Sequence, residues 1–386
     1  MINNRYNKYL ILLYVGVLLF CGCEKAKHSP YNKYGDKIDS LNIEEHSILY
    51  QENEFGLHSY STTTYRETDS ALYIIGYNHF EHSLDYFDIT KGKMVSSLSL
   101  DREGVNGVVD KVCAMYPCGN DSLWVYDHVY IYLLNGDGKV QKKLFLGNYD
   151  QVKIENNHAM HTAKFLYDST SSLIRYLNKS KDSFYITELS VEDGVIKGEY
   201  ALTPSVVNDD GKKKFANMEA PNVLFQDERI VYNYPYESTI YVLDLKTKEH
   251  FKFGGESRFT TNVASECSDI HDYSKWERHG ITNTHFYDVM YMPNLNMYAR
   301  LHLSGVEFEA DKNLSELGDS RELFLMLFDD EFNILGEFNL GNKTYNYFTG
   351  WCCLPNGLLI FKDNSLSGTE EYESILFDVI TSVAVK

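Results

Sequence analysis

The chain has 386 residues, of which 55 are acidic and 36 basic, and its formal net charge is −19. This acidic balance argues against nucleic acid as a partner, because nucleic-acid binding depends on basic contacts to phosphate. Aromatic residues make up 14% of the chain and only seven residues are proline, so a disordered chain is excluded and a large core can form.

The N-terminal segment has the pattern of a bacterial lipoprotein signal peptide. Basic residues precede an apolar run at residues 9–20, which ends in Phe-Cys-Gly-Cys. As a helix this run would span about 18 Å, less than the roughly 30 Å of a bilayer core, so a transmembrane helix is not expected. Small residues precede Cys23, whereas Phe20 precedes Cys21. We therefore predict that residues 1–22 are removed and that Cys23 carries the lipid; plain secretion is the alternative.

A polar tether follows the predicted lipid site. Residues 23–40 contain the lipidated cysteine and a stretch without apolar periodicity, which predicts a flexible coil reaching roughly 20–25 Å. The folded part is then expected over residues 41–386. Together these features predict a protein of the cell envelope that contacts the membrane through its lipid, on the outer membrane of a Gram-negative bacterium.

A four-strand unit recurs along the rest of the chain. Its clearest copy, SLWVYDHVYIYLLNGDGKVQKKLFL at residues 122–146, reads as strand, short connection, strand, Gly-Asp-Gly turn and strand. One more strand-like run precedes each copy. Six such units predict an all-β fold, a six-bladed β-propeller of four-stranded antiparallel blades. Seven blades are the alternative, if the weak third unit is misread.

The two ends of the chain are expected to meet in the last blade. The sixth unit leaves almost no chain for a fourth strand, while residues 43–53 are strand-like and belong to no unit. An N-terminal strand that completes the last blade would remove the exposed sheet edges, so we predict a closed, monomeric propeller. The predicted blades cover residues 57–100, 107–147, 160–202, 218–253, 284–341 and 345–382.

Two stretches resemble a known family. LSLDREGVNGVV at residues 98–109 resembles the EGPNG turn of the DUF4221-type lipoproteins of Bacteroides-like bacteria, with Val105 in place of the proline. WCCLPNGLLIFKD at residues 351–363 is similar to the last blade of that family. The resemblance implies a TolB-like six-bladed propeller. It implies no activity, because the role of the family is not established.

The long connections are expected on one side of the ring. If the strands of a blade are lettered a to d from the inside, the b–c loops and the d-to-a connections share one face, here called the loop face. The a–b and c–d turns share the other, the turn face. The long segments, residues 203–218, 254–285, 304–320 and 363–373, all belong to the loop face. Because binding is usually carried by loops on a rigid scaffold, this face is the predicted binding surface.

Two sets of residues are the candidate ligand contacts. The first lies in the segment 254–285, where Arg can pair with carboxylate or phosphate and Trp can stack on a ring; packing of the loop on itself is the alternative. It comprises Arg258, His271, Trp276, Arg278, His279 and His285. The second follows strand b in four units and could hold polar ligands or a cation, or else cap loops. It comprises Asn78, Asp127, Asn233 and Asp363.

These observations favour a binding module over an enzyme. No metal site and no cofactor are predicted, although a divalent cation at the channel mouth is left open. No HExxH, phosphate-binding loop or nucleophile elbow occurs in the sequence. The loop face is expected to bind a glycan, a peptide or another envelope protein. The alternatives are a hydrolase or lyase acting in the central channel and an assembly scaffold.

Overall fold

The computed structural model describes residues 37–49, 57, 59–119, 121–146, 164–180, 183–226, 228–342, 344–345, 350–362 and 374–383. Within these ranges the chain forms twenty-four β-strands, two α-helices and one 3-10 turn. The strands make six four-stranded antiparallel blades arranged in a ring, which confirms the predicted six-bladed β-propeller. The predicted signal peptide and most of the tether lie outside the described residues.

The strands follow one another in blade order. The N-terminal strand is β1 (Ser40–Leu49). Blade 1 has β2 (Thr63–Glu67), β3 (Leu72–Asn78), β4 (Ser83–Asp88) and β5 (Lys93–Ser99). Blade 2 has β6 (Ala114–Cys118), β7 (Ser122–Tyr126), β8 (Tyr130–Leu134) and β9 (Val140–Phe145). Blade 3 has β10 (Phe165–Asp168), β11 (Leu173–Ser180), β12 (Ser183–Ser190) and β13 (Ile196–Ala201). Blade 4 has β14 (Asn222–Phe225), β15 (Arg229–Asn233), β16 (Ile240–Asp244) and β17 (His250–Phe253). Blade 5 has β18 (His285–Met292), β19 (Met297–Leu303), β20 (Leu323–Phe328) and β21 (Ile334–Gly341). Blade 6 has β22 (Trp351–Leu354), β23 (Gly357–Phe361) and β24 (Ser374–Val383).

The first strand of each blade lines the axis of the ring. Inner strands of neighbouring blades contact each other, as β2 does with β6, β6 with β10, β14 with β18, β18 with β22 and β22 with β2. The middle strands are packed between two blades, so most of their side chains are buried or half-buried. All six residues of β20 and all five of β23 are buried, whereas β13 at the rim alternates between half-buried and exposed side chains. This gradient explains why the middle strands are apolar runs and the outer strands alternate.

The Asn-Gly-Asp-Gly sequence of blade 2 forms the tight turn that it predicts. Asn135 accepts hydrogen bonds through its side chain from the backbone N–H groups of Asp137, at 3.1 Å, and Lys139, at 2.8 Å. Gly138 adopts a positive φ of 73°, which a residue with a Cβ rarely reaches. The turn therefore sets the register between β8 and β9.

The ring closes where the sequence predicts, in blade 6. Strand β1 runs antiparallel to β24 over its whole length, from the pair of Ser40 and Val383 to the pair of Leu49 and Ser374. It is thus the fourth strand of the blade. The strand begins three residues before the predicted segment, and residues 50–53 lie outside the described part of the chain.

Side chains reinforce this closure. The ammonium group of Lys362 contacts the carboxylate of Glu45 on β1 and lies 3.3 Å from Oδ1 of Asp378 on β24. The hydroxyl of Tyr345 donates to the other carboxylate oxygen of Asp378. The pKa of Tyr345 is raised, first by burial and then by this carboxylate, so the phenol stays protonated and remains a donor.

The helical elements lie on the loop face. Helix α1 (Tyr273–Thr282) connects β17 to β18, and helix α2 (Leu314–Asp319) connects β19 to β20. The 3-10 turn (Ala216–Met218) precedes β14, and α1 contacts both this turn and α2. Elaboration of the loop face is therefore confirmed for these connections. In the described part of the chain, no helix is long and apolar enough to cross a membrane.

The closing strand offers a direct test, because it carries one buried and one exposed isoleucine. Ile48 is 2% exposed and packs in the core of blades 1 and 6, whereas Ile43 is 48% exposed. We expect Ile48→Ala to lower the free energy of unfolding by about 2–5 kcal/mol, because it removes buried methyl groups and leaves a cavity. The matched variant Ile43→Ala should cost less than about 1 kcal/mol. Urea denaturation measures both, and equal losses would contradict the assignment of β1 to the last blade.

Candidate functional site

The connection between blades 4 and 5 presents most of the predicted ligand contacts. It runs from β17 to β18 and contains α1, which begins after Asp272, whose side chain accepts the N–H of Ser274 at 3.1 Å. This N-cap fixes the start of the helix. On its first turn the ring of Tyr273, which is 63% exposed, stacks on the ring of Trp276, with centroids 5.8 Å apart. The helix thus shows an aromatic pair at the surface of the loop face.

The charged residues of the same connection are also at the surface. Arg258 is exposed, and its backbone N–H donates to Oε2 of Glu337 in β21 at 2.8 Å. Arg278 is exposed, and its guanidinium lies 4.2 Å from the centroid of the Phe308 ring. His271 is exposed in the turn before the helix. These three residues and Trp276 are therefore reachable by a partner at the loop face.

The other two predicted contacts are inside the protein. His279 is 5% exposed, and its Nε2 donates to the carbonyl oxygen of Ser265 at 2.7 Å. Burial lowers the pKa of His279, so the imidazole is held neutral. His285 is 2% exposed at the start of β18, where its ring lies 4.7 Å from that of Tyr287. The structure thus separates the six predicted contacts into a surface set and a buried pair.

In blades 1 and 2, the residues that follow strand b are buried and hold their own loops. The side-chain oxygen of Asn78 accepts from the N–H groups of Phe80 and Glu81. One carboxylate oxygen of Asp127 accepts from the N–H groups of Val129 and Tyr130. These are the contacts of loop caps.

Asp127 makes further hydrogen bonds beyond its own loop. Its second oxygen accepts from the hydroxyl of Tyr132 at 2.7 Å and from two backbone N–H groups of the connection to blade 2. Asn233 is also buried and donates to the carbonyl oxygen of Phe286 at 3.4 Å. Asp363 lies outside the described residues. A ligand role for this set stays a prediction.

The loop face exposes apolar as well as charged side chains. Twelve large apolar side chains are exposed among the described residues, of which two lie on the turn face and three on rim strands. The other seven lie on b–c or d-to-a connections. They are Phe80, Val105, Val109, Val206, Phe259, Val263 and Tyr273. This face therefore combines the aromatic, apolar and arginine side chains that are typical of protein interfaces.

A cavity of about 330 Å³ lies on the axis of the ring. All six inner strands contribute to its wall, and the charged side chains among its described lining residues are Lys164 and Asp288. The two side chains form an ion pair that links blade 3 to blade 5 across the channel. Sequence reasoning missed this pair. The available signal was an aspartate inside the apolar strand HFYDVMYM.

The described residues contain no group of three or more His, Cys, Asp or Glu side chains that could hold a metal ion. A second cavity, of about 270 Å³, opens between blades 3 and 4 on the loop face. Its wall includes Lys179 and Ser183 at the b–c connection of blade 3 and Tyr234 after strand b of blade 4. This second cavity is therefore a further concave region of the loop face.

A family model matches the sequence, and solved structures share the fold. The model of a family described as a domain of unknown function, DUF4221, matches residues 55–339. A member of that family from Bacteroides vulgatus superposes with a TM-score of 0.70 at 13% identity, covering 91% of this chain and 100% of its own. A protein of Bacteroides fragilis described as exported superposes with a TM-score of 0.57 at 12% identity, covering 93% of this chain and 98% of its own. No curated protein matches the sequence. At such identities the structural likeness shows the fold alone.

The buried imidazole of His279 predicts a dependence of stability on pH. Its lowered pKa means that the unfolded chain, with an ordinary imidazole pKa of about 6.5, binds the proton more readily than the folded chain does. The contribution to stability is therefore present above about pH 6.5 and lost as the pH falls, by at most about 1.4 kcal/mol per pH unit. His279→Gln retains an N–H donor for Ser265 but cannot titrate, so we expect a flatter acid limb in urea denaturation.

Comparison at higher pH controls for other histidines. Wild type and variant both keep the remaining imidazoles. The difference between their unfolding free energies should therefore be constant above about pH 7.5 and change only below it. Parallel curves down to pH 5 would contradict the structural role assigned to His279.

Proposed function

The chain belongs to the DUF4221 family, and we propose that it is a lipid-anchored binding protein of the cell envelope that docks another envelope protein on its loop face. The observation that carries this proposal is the chemistry of that face. Seven of the exposed large apolar side chains lie there, among them Tyr273 of the Tyr273–Trp276 pair, together with two exposed arginines. Tyr, Trp and Arg are the residues that most often dominate binding energy at protein interfaces.

The spread of these groups favours a protein over a smaller ligand. They lie on the b–c loop of blade 1 and on the connections between blades 1 and 2, 3 and 4, and 4 and 5, so a partner that used them would cover much of the ring. Protein interfaces of standard size bury about 800 Å² on each partner, an area that a sugar or a short peptide does not reach. Glycans and free peptides are the alternative ligands of this face. A scaffold protein would bind its partners through the same surface.

The envelope location is supported by two observations. The N-terminal sequence has a basic start, an apolar run and a cysteine preceded by small residues, as a lipoprotein signal peptide does. The related fold from Bacteroides fragilis is described as an exported protein. A lipid anchor followed by a polar tether would hold the propeller near the membrane while leaving the loop face free to dock.

A channel enzyme is the less favoured function. Glycoside hydrolysis uses a pair of carboxylates on either side of the scissile bond. The described wall of the channel offers one, Asp288, and that carboxylate is already paired with Lys164. Polymer cleavage in the channel therefore has less support in the described geometry than binding at the loop face.

The lipid anchor is tested by two cysteine variants. We expect Cys23→Ser to move the protein from the membrane fraction to the soluble fraction and to abolish labelling by a fatty-acid precursor, because the acceptor thiol is lost. Cys21→Ser is the matched control, two residues away in the same motif, and should leave both unchanged. Membrane fractionation and metabolic labelling measure the outcome, and labelled Cys23→Ser protein would refute the assignment.

The docking proposal is tested by photo-crosslinking in cells. A photoreactive phenylalanine is placed at Phe80, Phe259 or Tyr273 on the loop face. Each of the three positions should give one discrete crosslinked protein, and the increase in mass should be the same at all three. Matched controls on the turn face are Val195 and Leu295, which are also exposed and apolar. We expect no adduct from these two positions.

Each outcome of this experiment is informative. Adducts confined to the loop face would support the proposal. Glycan-sized smears from Tyr273 alone would overturn it in favour of sugar binding at the α1 pair. Adducts of equal yield from both faces would show that the loop face has no special role.

A further inference from the structure

The axial cavity has the size and lining of a small-molecule site. Its volume of about 330 Å³ is at the lower end of the roughly 300–1,000 Å³ that ligand pockets span. Its wall is largely aromatic and aliphatic, with side chains such as Tyr65, Phe165, Leu224 and Trp351. Burial raises the pKa of the Cys352 thiol to about 12, so this sulfur on the wall is uncharged at neutral pH.

A β-bulge directs Asp288 to this cavity. Phe286 pairs with His302 and Val289 with Arg300, so β18 contains one more residue than β19 between these two pairs. Bulges redirect side chains and are frequent next to functional sites. Here the bulge places a carboxylate on the wall of an apolar channel, where an unpaired acid would be costly.

One of the two carboxylate oxygens of Asp288 is an unsatisfied hydrogen-bond acceptor among the described residues. Its Oδ2 contacts the ammonium group of Lys164, while its Oδ1 is buried and has no hydrogen-bond partner among the described residues. The side chain as a whole is only 4% exposed. A buried acceptor without a donor costs free energy, so a rotation of the carboxylate that brings this oxygen to a donor in the channel would be favourable.

Lys164 supplies the complementary group. Its side chain is 33% exposed, and an ammonium group has three N–H donors, of which the contact with Asp288 uses one. The pair therefore presents an acceptor and a donor next to each other at one point of a mostly apolar wall. A ligand that matches it has a cationic donor beside an anionic acceptor and an apolar remainder.

From this arrangement we infer that the central channel binds a free α-amino acid with an apolar side chain. The ligand ammonium group donates to Asp288, its carboxylate accepts from Lys164, and its side chain packs on the aromatic wall. Both contacts are charge-assisted, which makes them stronger than the contacts of a neutral sugar. A bare cation is disfavoured by the adjacent lysine and a bare anion by the aspartate. The channel is separate from the loop face, so this inference can be tested independently of the docking proposal.

Analogues that lack one charge test the two contacts separately. Isothermal titration calorimetry of the full-length protein would compare L-phenylalanine with N-acetyl-L-phenylalanine, which lacks the ammonium group, and with L-phenylalanine amide, which lacks the carboxylate. L-leucine and D-glucose complete the set. We expect the two amino acids to bind, each single-charge analogue to bind at least about tenfold more weakly, and glucose to give no signal.

Variants at the pair assign each contact to a residue. Asp288→Asn should remove the preference for phenylalanine over its N-acetyl form, and Lys164→Met should remove the preference over the amide. Because a lone buried charge can unfold a protein, the double variant, which leaves neither charge, provides a second measurement and should lose both preferences. The matched control is Lys197→Met, which removes a lysine from an exposed pair with Asp193 on the rim of blade 3 and should leave all affinities unchanged.

Occlusion of the channel gives an independent check. Leu166 lies on the cavity wall in β10, and Leu166→Trp should abolish binding while the ion pair remains. No heat with either amino acid at millimolar concentration would overturn the inference. So would binding that survives both the double variant and Leu166→Trp, because the ligand would then sit elsewhere.

Discussion

The fold depends on the pairing of its first strand with its last. Ten residues of β1 form an antiparallel ladder with β24, and the ring of His46 stacks on that of Phe377 at 5.3 Å between centroids. Without this ladder β24 would present a row of unpaired backbone groups, and apolar side chains of blade 6 would face water. Because the two strands lie more than 300 residues apart in the sequence, their pairing closes a long loop and costs more conformational entropy than the hairpins within the blades.

The antiparallel order of the strands in each blade determines where long connections are accommodated. Once the six inner strands are held around the axis, every connection of the b–c or d-to-a type emerges on one side of the ring. Such connections can lengthen without disturbing the blades, because the strands that they join are already fixed by neighbouring blades. Two helices and a 3-10 turn have been accommodated there, whereas the turn between β8 and β9 is held to a few residues by the side-chain bonds of Asn135.

The sequence predicts features that depend on a local residue pattern. It does not predict features that depend on contacts between residues far apart in the chain. Alternation and turn residues were enough for six blades, and a missing fourth strand was enough to assign β1 to blade 6. Placement within the 254–285 connection was not predictable, because burial of His279 and exposure of Arg278 depend on which side of α1 packs inward. Asp288 was missed for two reasons: a single aspartate in an apolar run does not by itself indicate a bulge, and its partner Lys164 is on another blade.

Blade 5 connects the loop face to the channel through one buried side chain. Arg300 is fully buried and donates to the carbonyl oxygens of Ser238, at 2.8 Å, and Gly255, which belong to two loop-face connections. Its guanidinium also lies 4.6 Å from the ring of Phe286, the residue at which the bulge that carries Asp288 begins. A Cβ at Gly255 would lie 2.7 Å from a guanidinium nitrogen, so the connection and the arginine are in close contact. Arg300 thus places two loop-face connections in direct contact with the residue at which the bulge of β18 begins.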